Sequence, residues 1–417
     1  MGLPLDRPIL ISGHHTEFWH PGVVSKYLAA DAAAKATGAA VVWLMVDQDR
    51  AESAVARYPV EDVQGRWSVR QAEFSLTNGP GSDRTPGGFR EPHFVAVGLD
   101  RIDGAMARHQ IAPNFAHQIA GATLDLLRPL LSLDPTIIYA TDLSRTALFG
   151  QLVDRMARDP ESCCRTYNTA VSRHPTARVR PLTADDLQDR YELPLWHLPP
   201  GRPRRHVYAE DLPSIPIREL APKALLMTGL LRLAGCDLFI HGLGAAAAGE
   251  DNHEGYDHIT GEWLTDWLNL DPGAVAPISL ISATRFLPLS TAAPPGPEAV
   301  DRAVWLSHAA PHNPHILRDG YFDDAKRRLV LRIAGSPHEQ RAPLFRQLHE
   351  VLDEYRRTHE QDLADIRRQA AAMRERLAAA PILRDRSWPF PLYPDHILIG
   401  LRDEIAAAFS APRPAPR

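Results

Sequence analysis

Imidazole and carboxylate side chains stand at the ends of two apolar segments near the N-terminus. The segment 9–11 is followed by Ser12, Gly13, His14 and His15, and the segment 40–46 is followed by Asp47 and Asp49. A glycine after a strand lets the backbone approach an anion, and the following amides and imidazoles can bind its phosphate or carboxylate oxygens. The two aspartates can orient a nucleophile. We therefore predict that His14, His15, Asp47 and Asp49 are catalytic.

A second loop later in the chain has the same character. His241 and Gly242 follow an apolar segment, and Gly244 comes two residues further on. His241 is predicted to act as a general acid or base, or as a phosphate ligand. The residues predicted to bind substrate or nucleotide are Ser12, Gly13, His20, Lys26, Asn168, Gly242, Gly244, Tyr256, Asp257 and Thr260. Lys26 would neutralise an anionic substrate, and Asp257 would cap a helix or contact a ligand hydroxyl.

These side chains need a sheet edge to bring them together. The near-continuous apolar runs 9–11 and 40–46 are typical of strands buried on both faces of a parallel sheet, with a helix between them that ends at Gly38. Further strands are predicted at 93–97, 136–140, 237–240 and 275–284, and helices at 114–131, 223–233 and 256–268. In open α/β sheets ligands bind at the carboxyl ends of the strands, where both histidine loops fall.

The chain divides into five predicted regions. Residues 1–144 form the first half of a Rossmann-like core, 145–219 a connecting insertion, and 220–297 the second half. Residues 298–380 form a helical, coiled-coil region, and 381–417 a C-terminal segment with a disordered tail. The predicted fold class is thus α/β, with a parallel sheet, connecting insertions and a long C-terminal coiled-coil helix.

The coiled-coil prediction rests on an apolar seam between 343 and 380. Its members are Leu344, Leu348, Val351, Tyr355, His359, Leu363, Ile366, Ala370, Met373 and Leu377, at steps of three and four residues, with one stutter near His359. One long helix carrying such a stripe needs a partner. Either a helix within 298–333 of the same chain or a second subunit would serve, and the expected assembly is a homodimer.

Composition excludes several classes of protein. The 417 residues include 44% hydrophobic and 23% charged residues, and the net charge of −5 gives no basis for nucleic-acid binding. No apolar run is long enough to span a bilayer, and the N-terminus lacks the features of a signal peptide, so a cytoplasmic protein without membrane contact is expected. Three cysteines without a CxxC pair do not build a disulfide framework.

Several of these motifs resemble a known family. Ser-Gly-His14-His15, the proline and Lys26 that follow, and Val-Val-Trp43 with Asp47 and Asp49 resemble the N-terminal half of the bacillithiol-synthesis cysteine-adding enzymes. Those enzymes carry Thr-Gly-Gln-Gln, then Gly-Pro and Lys, then Phe-Trp and Glu-Asp-His-Asp. The resemblance implies a Rossmann-like core with inserts and a helical coiled coil that dimerises.

A second resemblance covers most of the chain. Strings such as Glu-Leu-Pro-Leu-Trp196, Phe-Ile-His241-Gly and Trp388-x-Phe390 are similar to those of a group of uncharacterised bacterial proteins associated with the same superfamily. In this chain His14 and His15 replace the paired glutamines of the cysteine-adding enzymes.

The leading hypothesis is a ligase- or transferase-like enzyme that condenses an amine or thiol compound, such as a cysteine-like one, with a small polar or anionic acceptor. The loop chemistry permits a nucleotide cofactor, and a divalent metal is the less favoured option. One alternative is a metal-dependent hydrolase that uses the same histidines and aspartates. The other is a non-catalytic coiled-coil binding protein.

Overall fold

The computed structural model describes residues 2–48, 53–75, 88–185, 187, 190–242, 255–271, 273–290 and 293–410. Asp49 and Gly244 of the predicted site lie outside the described residues, as does the predicted disordered tail from 411 onward.

The strands, in chain order, are β1 (Ile9–His15), β2 (Ala40–Val46), β3 (Ser53–Asp62), β4 (Trp67–Ser75), β5 (Phe89–Arg90), β6 (Thr136–Tyr139), β7 (Ala184–Asp185), β8 (Arg190–His197), β9 (Arg205–Tyr208), β10 (Leu220–Pro222), β11 (Leu238–His241) and β12 (Ile278–Leu280). The α-helices are α1 (Pro21–Thr37), α2 (His93–Arg108), α3 (Phe115–Leu127), α4 (Ala147–Arg158), α5 (Pro160–Arg173), α6 (Ala224–Ala234), α7 (Tyr256–Leu268), α8 (Pro297–Ala309), α9 (Gly320–Gly335), α10 (Arg341–Thr358), α11 (Glu360–Leu383) and α12 (Asp395–Ser410).

The central sheet has five parallel strands in the order β12-β11-β1-β2-β6. The predicted α/β class is confirmed. After β1, the next two strands of this sheet along the chain, β2 and β6, are added on one side of β1. The last two, β11 and β12, are added on its other side. This is the Rossmann-like order, and the direction of building reverses between β1 and β11. The reversal leaves a crevice where the two histidine loops end.

Helix α1 joins the first two strands and is buried over most of its length. Pro21 stands in its first turn, where a missing N–H costs nothing. Gly38 ends the helix at φ 75° and donates its N–H to the carbonyl of Ala34. The C-cap that the sequence predicts is therefore present.

Two local predictions differ from the structure. Residues 93–97, expected as a strand, begin α2, because Val95, Leu99, Ile102 and Met106 bury one helical face. Pro92 is the N-cap residue of this helix. The paired strands β3 and β4 have no counterpart in the predictions.

The insertion between the two halves of the sheet is anchored by a buried carboxylate. Glu192 on β8 is fully buried and accepts hydrogen bonds from the side chains of Lys223 and Arg180 and, at 2.9 Å, from the backbone N–H of Thr183. Burial raises the pKa of Glu192, but Lys223 and Thr183 outweigh burial and lower the pKa to about 2. The carboxylate ties β8 to the start of α6.

The single long helix predicted over 343–380 is instead two helices, α10 and α11, which are separated at His359. The backbone of His359 leaves the helical region at φ −108° and ψ 27°, and its ring bonds to Asp319 at 2.8 Å and to Asp362 at 3.0 Å. Helix α10 packs on α9, and α11 packs on α8. The apolar seam therefore packs on α8 and α9 of the same chain, which lie in or directly beside the range 298–333. The stutter in the seam near His359 coincides with the end of α10.

The chain forms two compact units. One consists of Met1–Pro59, Val69–Leu287 and Arg386–Arg417, and the other of Val60–Ser68 and Pro288–Asp385. The first contains the parallel sheet, and the second contains helices α8 to α11. Within the described parts of the chain, no helix is both long and apolar enough to cross a membrane.

Candidate functional site

A cavity of about 510 Å³ opens at the carboxyl ends of β1 and β11. Its position is the crevice created by the reversal in strand order, which is where this architecture binds ligands. Eight of the residues predicted from sequence line it: Gly13, His14, His15, His20, Lys26, His241, Gly242 and Tyr256. The two histidine loops therefore meet in one site, although His15 and His241 are 226 positions apart in the sequence.

A histidine–aspartate pair forms one side of the cavity. His241, at the end of β11, bonds through Nδ1 to Oδ2 of Asp257 in the first turn of α7. The carboxylate is buried, and Arg232 donates from Nη1 to the Asp257 carbonyl at 2.8 Å. With the Nδ1–H directed at the carboxylate, Nε2 is the ring nitrogen that can accept a proton. This arrangement is that of a general base held by an acidic residue.

Lys26 contributes a buried amine to the same cavity. The residue is 3% exposed, and its Nζ donates to the Gly13 carbonyl at 2.8 Å. Burial lowers the pKa of Lys26 to about 8, although the charge of Asp257 acts in the opposite direction. The aliphatic stem passes Gly242, where an added Cβ would lie 3.5 Å from the Lys26 Cδ. That distance is an ordinary contact, so sterics alone do not require glycine at 242.

The imidazole rings of His14 and His20 both line the cavity. Burial, followed by the nearby charge of Lys26, lowers the pKa of His14 to about 3. His20 is the N-cap of α1, and its Nδ1 accepts a hydrogen bond from the Gly22 N–H at 3.1 Å. An accepting Nδ1 places the proton of a neutral ring on Nε2. His15 is exposed at the rim.

Glycine has a packing reason at two positions beside these rings. A Cβ on Gly22 would lie 2.8 Å from the His20 ring and 2.9 Å from the Ala283 carbonyl. A Cβ on Gly13 would lie 3.0 Å from the Cβ of Leu44 on the neighbouring strand. Both distances are too short for unstrained packing, so glycine lets the helix and the strands approach closely.

Four predicted site residues have other contacts. The buried hydroxyl of Ser12 donates to the Ile240 carbonyl at 2.9 Å and ties β1 to β11. Thr260 donates to the Tyr256 carbonyl within α7, and Asn168 donates from its side-chain amide to the Leu182 carbonyl at 2.9 Å. Asp257 acts through His241. None of these four is among the residues that line the cavity.

Asp47 lies on the other side of β1 from the histidine pair. Its carboxylate accepts from the Thr141 N–H at 2.9 Å and from the Thr141 hydroxyl at 2.6 Å, which connects the ends of β2 and β6. Burial raises the pKa of Asp47, although the bonds from Thr141 oppose the rise. It lines a separate cavity of about 360 Å³ together with Arg202 and Arg204.

Arg386 is a lining residue that the sequence predictions miss. It precedes α12, and the segment after it is fixed to the sheet unit: Trp388 and Phe390 are buried, and the Phe390 N–H donates to the Trp19 carbonyl at 2.6 Å. No local sequence pattern around Arg386 indicates that it lies near the loop at His14. The neighbouring aromatic residues are the closest available indication.

The cavity wall is cationic among the residues that the structure describes. Lys26 and Arg386 carry the charges, and no described lining residue is a carboxylate. A ligand with a negatively charged group would replace the water around these cations with direct charge-assisted hydrogen bonds. The site therefore favours an anionic molecule.

The described part of the chain contains no group of three or more histidine, cysteine, aspartate or glutamate side chains arranged to hold a metal ion. The hydrolase alternative therefore lacks a ligand set there.

In comparisons with known proteins, neither a protein-family model nor a curated protein matches this chain.

Proposed function

We propose that this protein is a cytoplasmic ligase or transferase that joins an amine or thiol compound to a small anionic acceptor in the cavity between β1 and β11. The observation that carries the proposal is the His241–Asp257 pair on the wall of a cationic cavity. A base of this kind is needed to activate an N–H or S–H nucleophile near neutral pH.

The proposed reaction assigns a role to each group. The Nε2 of His241 takes the proton of the nucleophile as the nucleophile attacks the electrophilic centre of the acceptor. Asp257 stabilises the resulting imidazolium, which returns the proton to the leaving group. The positive charges of Arg386 and of protonated Lys26 bind the anionic acceptor and stabilise negative charge that develops on it.

A relationship to the bacillithiol-synthesis cysteine-adding enzymes remains part of this proposal. The support is the Rossmann-like sheet, the lysine and glycine positions at the cavity, and the separate helical unit. The replacement of paired glutamines by His14 and His15 leads us to expect a different acceptor.

We also propose a homodimer through the helical unit. The predicted seam is already covered by α8 and α9, so the contact would use outer helical faces, where large apolar side chains are exposed. These are Trp305, Tyr321, Val330, Leu331 and Phe345. Light scattering after size exclusion should give twice the chain mass of 46.2 kDa, and Leu331→Glu with Phe345→Glu should give the monomer. A monomeric wild-type protein would contradict this part of the proposal.

The test of the enzymatic proposal is a turnover screen. Wild-type protein is incubated with pools of amines and thiols and with pools of small carboxylic and phosphorylated acceptors, with and without ATP, and condensation products are identified by mass spectrometry. His241→Asn should lower product formation at least 100-fold, because general-base catalysis contributes factors of about 10² to 10⁴.

His258→Asn is the matched control. His258 is an exposed histidine on α7, next to Asp257 in sequence, and it does not line the cavity. Its replacement should leave turnover unchanged. A product that forms equally in the His241→Asn variant would overturn the assignment of the base.

A further inference from the structure

Lysine is rare in this chain and its positions are informative. Of the 46 lysines and arginines only four are lysines, at positions 26, 35, 223 and 326. Arginine cannot be deprotonated in a protein, whereas the lysine amine can lose its proton and act as a nucleophile. A chain that uses arginine for nearly all its positive charge nevertheless carries a buried lysine in the wall of the cavity between β1 and β11.

The four lysines have different surroundings. Lys223 is paired with the carboxylate of Glu192, and Lys326 donates to the Asn313 side chain at 2.7 Å. Lys35 is exposed in the last turn of α1. Lys26 is buried, yet among the residues that the structure describes no carboxylate lies within 4 Å of its Nζ. Its hydrogen-bond acceptor is the uncharged Gly13 carbonyl, to which a neutral amine can also donate.

Burial of Lys26 favours its neutral amine, and the charge of Asp257 acts in the opposite direction. His14, His20 and His241 are imidazoles in the same cavity, Tyr256 is a phenol, and Asp257 is engaged with His241. Burial lowers the pKa of Lys26 to about 8 and raises that of Tyr256 to about 12. A substantial fraction of the amine is therefore unprotonated at a mildly alkaline pH.

We propose that Lys26 is a nucleophilic amine that forms an imine with a small 2-oxo acid bound in this cavity. The carbonyl group is the partner of the amine, and the adjacent carboxylate matches the guanidinium of Arg386. This activity goes beyond the proposed condensation and does not depend on it.

The chemistry is balanced within the cavity. The Lys26 ammonium first gives a proton to His241 Nε2 or to water, and the amine then attacks the carbonyl carbon to form a C–N bond. The carbonyl oxygen takes up one proton from the attacking nitrogen and a second from protonated His241 or from water, and the carbinolamine loses this oxygen as water. The product is a protonated imine, so the overall step releases one water and changes no oxidation state. Cyanoborohydride would reduce the imine carbon and make the link permanent.

The test uses glyoxylate, the smallest 2-oxo acid, with sodium cyanoborohydride on the intact protein at pH 8. Modified lysines are located by peptide mass spectrometry, and four lysines make the map unambiguous. Lys26 should be modified at least tenfold faster than exposed Lys35, and its rate should rise with pH to a midpoint near 8. Formaldehyde, which lacks the carboxylate, should lose this selectivity.

Two variants serve as controls. Lys26→Arg should abolish the fast modification without increasing modification elsewhere, whereas Lys35→Arg should leave modification at Lys26 unchanged. The proposal would be overturned if Lys35 is modified and Lys26 is not, or if both lysines are modified at equal rates. Both outcomes are measured on the wild-type protein, so neither depends on how a variant folds. Failure of the condensation screen leaves this result unaffected, so the two proposals are separable.

Discussion

At the scale of single residues, the chemistry of the cavity depends on which histidine nitrogen atoms carry protons. His14 is held neutral by burial and by Lys26, His20 accepts at Nδ1 to cap a helix, and His241 is bonded to a buried carboxylate. Three histidines thus have three different electronic roles. Their roles follow from neighbours contributed by other parts of the chain.

The state of His14 predicts an acid sensitivity. Its folded pKa of about 3 lies below the unfolded value of 6.5, so as the pH falls from 6.5 toward 3 the unfolded chain gains a proton that the folded protein excludes. The free energy of unfolding is unaffected by this group above pH 6.5. Between pH 6.5 and 3 the group lowers the free energy of unfolding by at most about 1.4 kcal/mol per pH unit. In urea unfolding at pH 7, 6 and 5, His14→Gln should show a shallower decline than wild type.

A histidine outside the cavity provides the control for this prediction. His349→Gln changes an exposed residue of α10 and should retain the wild-type pH slope. Equal slopes for wild type and His14→Gln would show that His14 is not held neutral.

At the scale of elements, the close approach of α1 to the segment after β12 shapes the cavity. Gly22 permits this approach because a Cβ there would meet both the His20 ring and the Ala283 carbonyl. His20, the N-cap of α1, lies in the same turn. The N-terminus of α1 and the cavity wall beside it are therefore closely packed.

We therefore expect Gly22→Ala to lower the free energy of unfolding by about 1 to 3 kcal/mol, the usual cost of overpacking a close contact. Gly400→Ala on α12 is the matched control, because a Cβ there meets nothing within 4 Å. Both changes improve helix propensity, and the control should gain about 0.5 to 1 kcal/mol. Denaturant unfolding measures both, and a stabilised Gly22→Ala variant would contradict the packing argument.

At the scale of the whole molecule, the chain separates into a sheet unit and a helical unit. Each has its own buried side chains: Tyr27, Trp43 and Phe239 in the first, and Tyr355 and Leu363 in the second. Separate cores of this kind favour unfolding in more than one step.

Calorimetry should accordingly resolve two transitions. Tyr355→Phe removes the hydroxyl that donates to the buried Ala310 carbonyl at 3.0 Å, and it should lower the transition of the helical unit by an amount equivalent to about 1 to 2 kcal/mol. Gly22→Ala should lower only the other transition. A single transition that both variants shift would show that the units unfold together.

Periodic and end-of-strand signals were enough to predict much of the fold. The apolar runs predict β1 and β2, Gly38 predicts the end of α1, and the range 256–268 matches α7. The 93–97 strand prediction was wrong because five residues do not distinguish a buried helical face from a strand. The single helix over 343–380 was wrong because contacts of His359 with Asp319 and Asp362 end one helix and begin the next.

The sequence by itself determined which residue types stand at the ends of the parallel strands, since strand period and glycine position are local properties of the chain. Tertiary structure alone decided which of these ends face each other. Placing β11 beside β1 joined His14, Lys26 and His241 in one cavity, brought Arg386 to its wall, and left Asp47 beyond β1 with Thr141. Strand order depends on contacts between residues more than 200 positions apart, which no local pattern records.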